Sequence, residues 1–158
     1  MNPLKLLAAF AVVAAFGAWW IAPTTAAPSS LVLLDSPEHQ ALGLPFSEAA
    51  RVGDLLFVSG QIGSVPGSTT LVKGGIQAET TQAMENIFAI LARYGATREQ
   101  IAKCTIFLGD MDEWGLMNVA YLKALGDHRP ARSALGASGL ALNGAVEIEC
   151  IAAFGTGG

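Results

Sequence analysis

The chain has 158 residues, of which 52% are apolar and 14% are charged, whereas soluble domains average about 45–50% and about 25%. This composition excludes a disordered chain, and the length corresponds to about one domain with one sizeable core. The net charge is −4 without any block of like charges, so no nucleic-acid partner is expected, since sequence-independent binding needs a basic surface.

The N-terminal segment holds much of the apolar excess. Leu6–Ala22 is an uncharged apolar run that follows a short region with one positive charge. This pattern is typical of a secretory signal peptide, with cleavage expected after Ala26. An uncleaved anchor is the alternative, because Trp19 and Trp20 suit a membrane interface, and a buried core helix is a third interpretation. We therefore expect residues 1–27 to be a signal peptide or an N-terminal anchor. The remaining chain would be exported, periplasmic or secreted, and would meet a membrane only through an uncleaved anchor.

The next segments predict alternating strands and helices. Residues 28–42 predict a tether with a possible edge strand at Leu31–Leu34. Both alternating faces of residues 55–62 are largely apolar, so we expect a central strand that is covered on both sides. Residues 63–75 are rich in glycine, proline and serine and predict a loop. Apolar residues at three- and four-residue spacing then predict a helix over 76–94.

The second half of the chain continues this alternation. It predicts a strand at 103–108 and a helix at 111–125, opened by a capping box that begins at Asp110. Two further strand-like segments follow at 131–137 and 145–154. The order β, β, α, β, α, β, β predicts an α+β layer architecture, with two helices against one mixed sheet.

Common catalytic and metal-binding signatures are missing from the sequence. His39 and His128 lie far apart and near no cysteine, so no zinc-ligand spacing exists and no metal or cofactor is expected. No nucleophile elbow, phosphate-binding loop or Cys/His pair is found either. Cys104 and Cys150 fall inside predicted strands. Buried free thiols are the default expectation there, although an oxidising compartment would permit a disulfide.

Three charged residues lie on strands that are otherwise apolar. Glu147 and Glu149 share one face of the last strand, and Arg132 lies on the strand before it. Such charges are costly to bury unless they are paired. One interpretation is a structural Arg–Glu pair or an exposed face. The other is that Arg132 binds a small carboxylate while a nearby glutamate handles protons or water.

Five successive motifs resemble those of the Rid family, the YjgF-like imine and enamine deaminases. They are DLLFVSGQI (54–62), QAMENI (82–87), NVAY (118–121), RPARS (129–133) and VEIE (146–149). The resemblance covers about 43–154, and we assign 43–158 to a single Rid-type domain. It implies a chorismate-mutase-like α+β fold with two helices on one face of a mixed sheet. It also implies a homotrimer whose active sites lie in the clefts between subunits.

The resemblance implies an activity as well. Family members hydrolyse reactive 2-imino or enamine acids, such as 2-aminoacrylate and 2-iminopropanoate, to 2-oxo acids and ammonia without a metal or organic cofactor. Arg132 matches the arginine that holds the substrate carboxylate, and Glu147 matches the glutamate that positions the attacking water. Ser59 and Asn118 match polar residues that line the cleft.

Two positions in the predicted site depart from the family pattern. Phe46 stands where the family has tyrosine, so the aromatic wall remains without its hydroxyl. Ala134 stands where many members have cysteine, whose contribution there is largely a backbone amide. These departures leave a second function open. It is a non-catalytic trimeric module that binds a small carboxylate or a partner protein, with chaperone-like behaviour as one form of it.

Overall fold

The computed structural model describes residues 30–155, so the prediction for residues 1–27 lies outside the described part. Within that part, no helix is both long enough and apolar enough to cross a membrane. The strands are β1 (Leu31–Leu34), β2 (Ala49–Val52), β3 (Leu55–Ile62), β4 (Ile101–Leu108), β5 (Ala131–Gly136) and β6 (Val146–Ala153). The α-helices are α1 (Pro37–Ala41), α2 (Gly75–Arg93) and α3 (Trp114–Leu125).

The strands form one mixed sheet in the order β1-β2-β3-β6-β4-β5. Strands β4 and β5 pair in parallel, whereas the other neighbours pair antiparallel. A parallel pair needs a crossover connection, which α3 supplies between β4 and β5. The predicted α+β class with a mixed sheet is confirmed.

The core lies between the sheet and the two long helices. Helix α2 packs on β3 and β6, and α3 packs beside α2. Apolar residues at helical spacing on α2, including Met84 and Ile87, are fully buried in one cluster with Leu56, Ile106 and Ile148 of the sheet. The periodicity that predicts α2 is therefore the apolar stripe that the sheet covers.

The other face of the sheet is open within the chain. Leu55 and Phe57 of β3 are 40% and 38% exposed, so the prediction of a strand covered on both sides is wrong for the single chain. The reason is that α2 and α3 occupy the same face. A bulge between Val58 and Gln61 also shifts the register of β3 against β6, which ends the simple two-residue alternation.

The domain begins with three elements, of which the sequence pattern predicts β1 but not α1 or β2. Strand β1 is the predicted edge strand, and its place at the end of the sheet is confirmed. Helix α1 follows it, because the side chain of Ser36 accepts a hydrogen bond from the His39 N–H at 3.1 Å and Pro37 takes the first helical position. Strand β2 was missed since its sequence, AARV, carries little alternation.

Helix α3 begins later than predicted. Residues Met111–Glu113 form a short 3₁₀ turn, capped by the Asp110 side chain, which accepts from the Asp112 N–H at 2.9 Å. The α-helix proper starts at Trp114. The predicted start signal is therefore correct in position, but the capping box does not form, because the Glu113 N–H donates to the Asp110 backbone oxygen at 3.3 Å. The first turn is wound more tightly than an α-helix.

Cys104 and Cys150 form a disulfide, so the default expectation of free thiols is wrong. The two cysteines are register partners on β4 and β6, with Cα atoms 4.1 Å apart. Both side chains are buried on the helix-covered face. Sequence spacing does not show this register, because the pairing depends on how β6 inserts between β3 and β4.

Candidate active site

Arg132 lies on the helix-covered face of the sheet. Its register partner on β4 is Cys104, whose side chain is buried on that face. The Arg132 Nη1 donates a hydrogen bond to Oδ1 of Asn118 on α3 at 2.6 Å. Within residues 30–155, Arg132 takes part in no ion pair. The neutral amide of Asn118 thus orients the guanidinium of Arg132. No carboxylate among the described residues pairs with the positive charge of that guanidinium.

Two aromatic rings of α3 support the same guanidinium. The Arg132 Cζ lies 5.2 Å from the ring centroid of Tyr121 and 5.8 Å from that of Trp114, within the range of a cation–π contact. Helical spacing places Trp114, Asn118 and Tyr121 on one face of α3. Burial raises the pKa of Tyr121, which therefore remains a neutral phenol beside the cation.

Glu147 lies on the opposite, open face of the sheet. Strand β6 alternates, with Val146 and Ile148 fully buried and Glu147 between them half-buried. Its carboxylate lies against the bulge of β3, where a Cβ at Gly60 would be 2.0 Å from Glu147 Oε1. Only glycine leaves room for the carboxylate at this point.

A cavity of about 420 Å³ adjoins Glu147, and its size is within the usual range of small-molecule sites, about 300–1,000 Å³. Gly60, Phe46 and His39 also line it, and the Phe46 and His39 rings have centroids 5.6 Å apart. Much of the remaining wall is apolar, contributed by Leu42, Leu44, Ile62, Ile90 and Leu142. The cavity therefore suits a small organic molecule with an apolar part.

The predicted site residues separate into two groups within the chain. Arg132, Asn118 and Ala134 lie together, since Ala134 is two residues beyond Arg132 on the same face of β5 and packs against the core. Glu147 and Phe46 line the cavity at the edge of the sheet, which Ile90 of α2 also lines. Strand spacing and rise put the Cα atoms of Arg132 and Glu147 about 14 Å apart, on opposite faces. A single chain does not bring them to one ligand.

Ser59 takes a structural part in this region. Its hydroxyl donates to the Ser47 backbone oxygen at 2.6 Å, which ties β3 to the segment that carries Phe46. Ser59 and Glu149 line a neighbouring cavity of about 620 Å³, which Phe46 also borders. Neither glutamate forms an ion pair among the described residues, so no structural Arg–Glu pair forms within the described chain. Glu149 is exposed, as the alternative of an exposed face predicted.

Gly60, Trp114 and Tyr121 were not singled out from the sequence as site residues. Helical spacing to Asn118 is a signal that could have found the two aromatic residues. The role of Gly60 depends on the bulge and on its contact with Glu147. A glycine inside a strand is a signal that could have found the bulge, whereas the contact with Glu147 follows from the structure.

The comparisons with known proteins agree with this architecture. The family model described as endoribonuclease L-PSP matches residues 38–154. A RutC family protein of Pyrococcus horikoshii is 40% identical over 108 residues, 68% of this chain and 86% of the relative. A 2-iminobutanoate/2-iminopropanoate deaminase of Mus musculus is 37% identical over 111 residues, 70% of this chain and 82% of the relative. The crystal structure of E. coli TdcF with bound serine superposes with a TM-score of 0.67 at 27% identity, covering 71% of this chain and 90% of that one.

The mixed sheet with one helix layer and a cavity at its edge defines an α+β domain of the L-PSP class. The chain belongs to the Rid family, as its five motifs predicted.

Proposed function

We propose that the protein is an exported deaminase that hydrolyses 2-imino and enamine acids to 2-oxo acids and ammonia. The observation that carries this proposal is the half-buried guanidinium of Arg132, held by Asn118 and free of any carboxylate partner in the described chain. A planar guanidinium in this state binds a small carboxylate through two parallel hydrogen bonds. The names of the relatives support the choice of ligand, because one is an imine deaminase and another binds serine, an amino acid.

Glu147 supplies the second part of the proposed chemistry. Its carboxylate borders the cavity without an ion-pair partner among the described residues, so it accepts a hydrogen bond from a water molecule there. That water attacks the C=N carbon and forms the C–O bond. Proton transfer to nitrogen then lets the C–N bond break, and ammonia leaves the 2-oxo acid. Imines already hydrolyse in water, so orientation supplies most of the acceleration.

The separation of Arg132 and Glu147 supports a site shared between two subunits. We propose a homotrimer in which the Arg132 cluster of one subunit faces the Glu147 cavity of its neighbour. The exposed apolar residues of the open sheet face, Leu55, Phe57 and Leu135, favour such an assembly because their burial stabilises it at about 25 cal/mol per Å². Light scattering of the mature protein should give three times the protomer mass, and a stable monomer would contradict the shared site.

The proposed location outside the cytoplasm has two supports. Leu6–Ala22 has the pattern of a signal peptide or an anchor, and the Cys104–Cys150 disulfide is typical of an oxidising compartment. Cell fractionation followed by N-terminal sequencing tests the location. Full-length protein in the cytosol would contradict export, whereas an intact Met1 in the membrane fraction would identify the anchor.

An amino acid oxidase assay tests the activity. The oxidase generates the 2-imino acid, semicarbazide traps what has not hydrolysed, and the purified protein should lower the trapped fraction far below the buffer control. The phenyl ring at Phe46, without a hydroxyl, favours the non-catalytic binding module as the second candidate. Hydrolysis no faster than buffer, together with calorimetric binding of serine or 2-oxobutanoate, would support that module instead.

A further inference from the structure

His39 forms an ordered pair with Asp35 at the wall of the cavity. The Nδ1 of His39 is 2.9 Å from Oδ1 of Asp35, and the same Oδ1 accepts a hydrogen bond from the Glu48 N–H at 2.8 Å. This backbone hydrogen bond is the main cause that lowers the pKa of Asp35, so the carboxylate stays ionised. A carboxylate at Nδ1 places the proton of the neutral imidazole there and leaves the lone pair on Nε2.

The Nε2 of His39 is buried and has no hydrogen-bond partner among residues 30–155. The side chain is 11% exposed, its ring lies against Phe46, and it lines the same cavity as Glu147 and Gly60. An unpaired polar atom in a native interior requires an explanation, because its desolvation is otherwise uncompensated. The imidazole lines the adjoining cavity, which is the place from which a ligand would supply that partner.

The surroundings of His39 are fixed in place. The backbone N–H of His39 donates to Ser36 Oγ at 3.1 Å. Glu48, which is 7% exposed, pairs with Arg93 and accepts from the Tyr94 hydroxyl at 2.7 Å. Burial, followed by this hydrogen bond, raises the pKa of Tyr94 to about 12. The imidazole is therefore held by a rigid network of the kind that preorganises a catalytic base.

We infer that His39 is a second proton-transfer group of the deaminase, acting through Nε2 at the cavity that Glu147 also lines; this rests on the proposed function. Glu147 orients the water through one of its hydrogens. Nε2 accepts the other proton as the C–O bond forms and passes it to the imine nitrogen, which gives the carbinolamine. Glu147 then takes the hydroxyl proton and delivers it to the amine nitrogen as the C–N bond breaks and the carbonyl forms. Water and imine are thereby converted to a 2-oxo acid and ammonia, and His39 ends in its starting state.

The second histidine provides a matched control. The Nε2 of His128 lies 2.7 Å from the Ile101 backbone oxygen, so its imidazole is already paired and outside the cavity lining. A His128→Gln variant removes the same chemical group from the protein without touching the proposed proton path. Its kcat should stay within about twofold of wild type, since side chains outside a site have small effects on its chemistry.

The test measures kcat and KM for imine hydrolysis by the full protein. For His39→Gln we expect kcat to fall at least about tenfold with KM nearly unchanged, because glutamine hydrogen-bonds but does not carry a proton between two partners. For His39→Ala we expect added imidazole to restore kcat in a saturable way, which a purely structural histidine would not show. Circular dichroism and thermal unfolding confirm that each variant is folded.

Three outcomes separate the failures. A wild-type protein that hydrolyses imine no faster than buffer overturns the proposed function, and this inference with it. If the wild type is active while His39→Gln keeps its kcat, the inference alone is overturned, and the deaminase assignment stands. Loss of activity in a folded His39→Ala variant without imidazole rescue also counts against proton transfer by His39.

Discussion

The two halves of the candidate site are built in different ways. Arg132 is held by Asn118 and packed on Tyr121 and Trp114, all from one helix. Glu147 has no such support, and its position depends on a glycine in a strand bulge and on the cavity beside it. In the proposed mechanism, the first half binds the substrate carboxylate and the second binds the attacking water. Since they lie on opposite faces of one sheet, the proposed site forms only where two subunits of the proposed trimer meet.

The largest effect should follow from removing the anion-binding half. Arg132→Ala loses both hydrogen bonds to the substrate carboxylate, so kcat/KM should fall about 100-fold to 1,000-fold. Arg132→Lys should recover little, because an ammonium group lacks the planar pair of donors. Steady-state kinetics in the imine assay checks both variants. Wild-type kcat/KM in Arg132→Ala would place the carboxylate site elsewhere.

A smaller effect should follow from changing the water-binding half. Glu147→Gln keeps the shape of the side chain but loses its charge, so kcat should fall about 100-fold while the fold and oligomeric mass stay unchanged. Glu149→Gln is the matched control, because Glu149 lies on the same face of β6 but lines the neighbouring cavity. Equal losses in both variants would show that the overall charge of the open face matters, and not the place of Glu147.

Removing the disulfide should affect both halves of the candidate site, because it lowers the stability of the strands that carry them. It joins β4, which pairs with the strand of Arg132, to β6, which carries Glu147. Replacing Cys104 and Cys150 with alanine should lower the free energy of unfolding by about 2–4 kcal/mol, because the disulfide closes a loop of 46 residues in the unfolded chain. Denaturant unfolding of the oxidised and the double-variant proteins measures this. Equal midpoints would show that the disulfide contributes nothing.

The smallest effect on activity should come from changing Phe46, the aromatic residue in the wall of the cavity. Phe46→Tyr adds a hydroxyl to a ring that is 49% exposed and borders the cavity. We expect activity equal to wild type or raised by a few-fold, since the ring's packing is retained and a hydrogen-bonding group is added. Kinetics on one imino acid substrate is sufficient to test it. A large loss would show that the cavity requires a fully apolar wall.

The sequence predicted most of the sheet and both long helices, because their apolar periodicity is what the core buries. It missed β2, whose alanines and arginine carry no strand pattern, and α1, which is five residues long and depends on its Ser36 cap. The open sheet face was mistaken for a covered one, since periodicity shows which residues are apolar and not whether the same chain covers them. In the proposed trimer, neighbouring subunits cover the face that the single chain leaves open.

The site was predictable at the level of residue types and not of geometry. Arg132 and Glu147 stand out because charges on apolar strands are rare, but their separation on two faces depends on strand order. The pairing of His39 with Asp35 was likewise not visible, since it follows from the cap that starts α1. The disulfide depends in the same way on the register of β4 against β6.

The measurement that tests the shared site most directly is activity in mixed assemblies of Arg132→Ala and Glu147→Gln chains. The two variants are unfolded together at equal concentration, refolded under oxidising conditions and compared with each variant and the wild type treated alike. If each site takes its arginine from one subunit and its glutamate from the next, random trimers should recover about one quarter of the wild-type activity. A mixture no more active than the two variants measured separately would contradict the shared site.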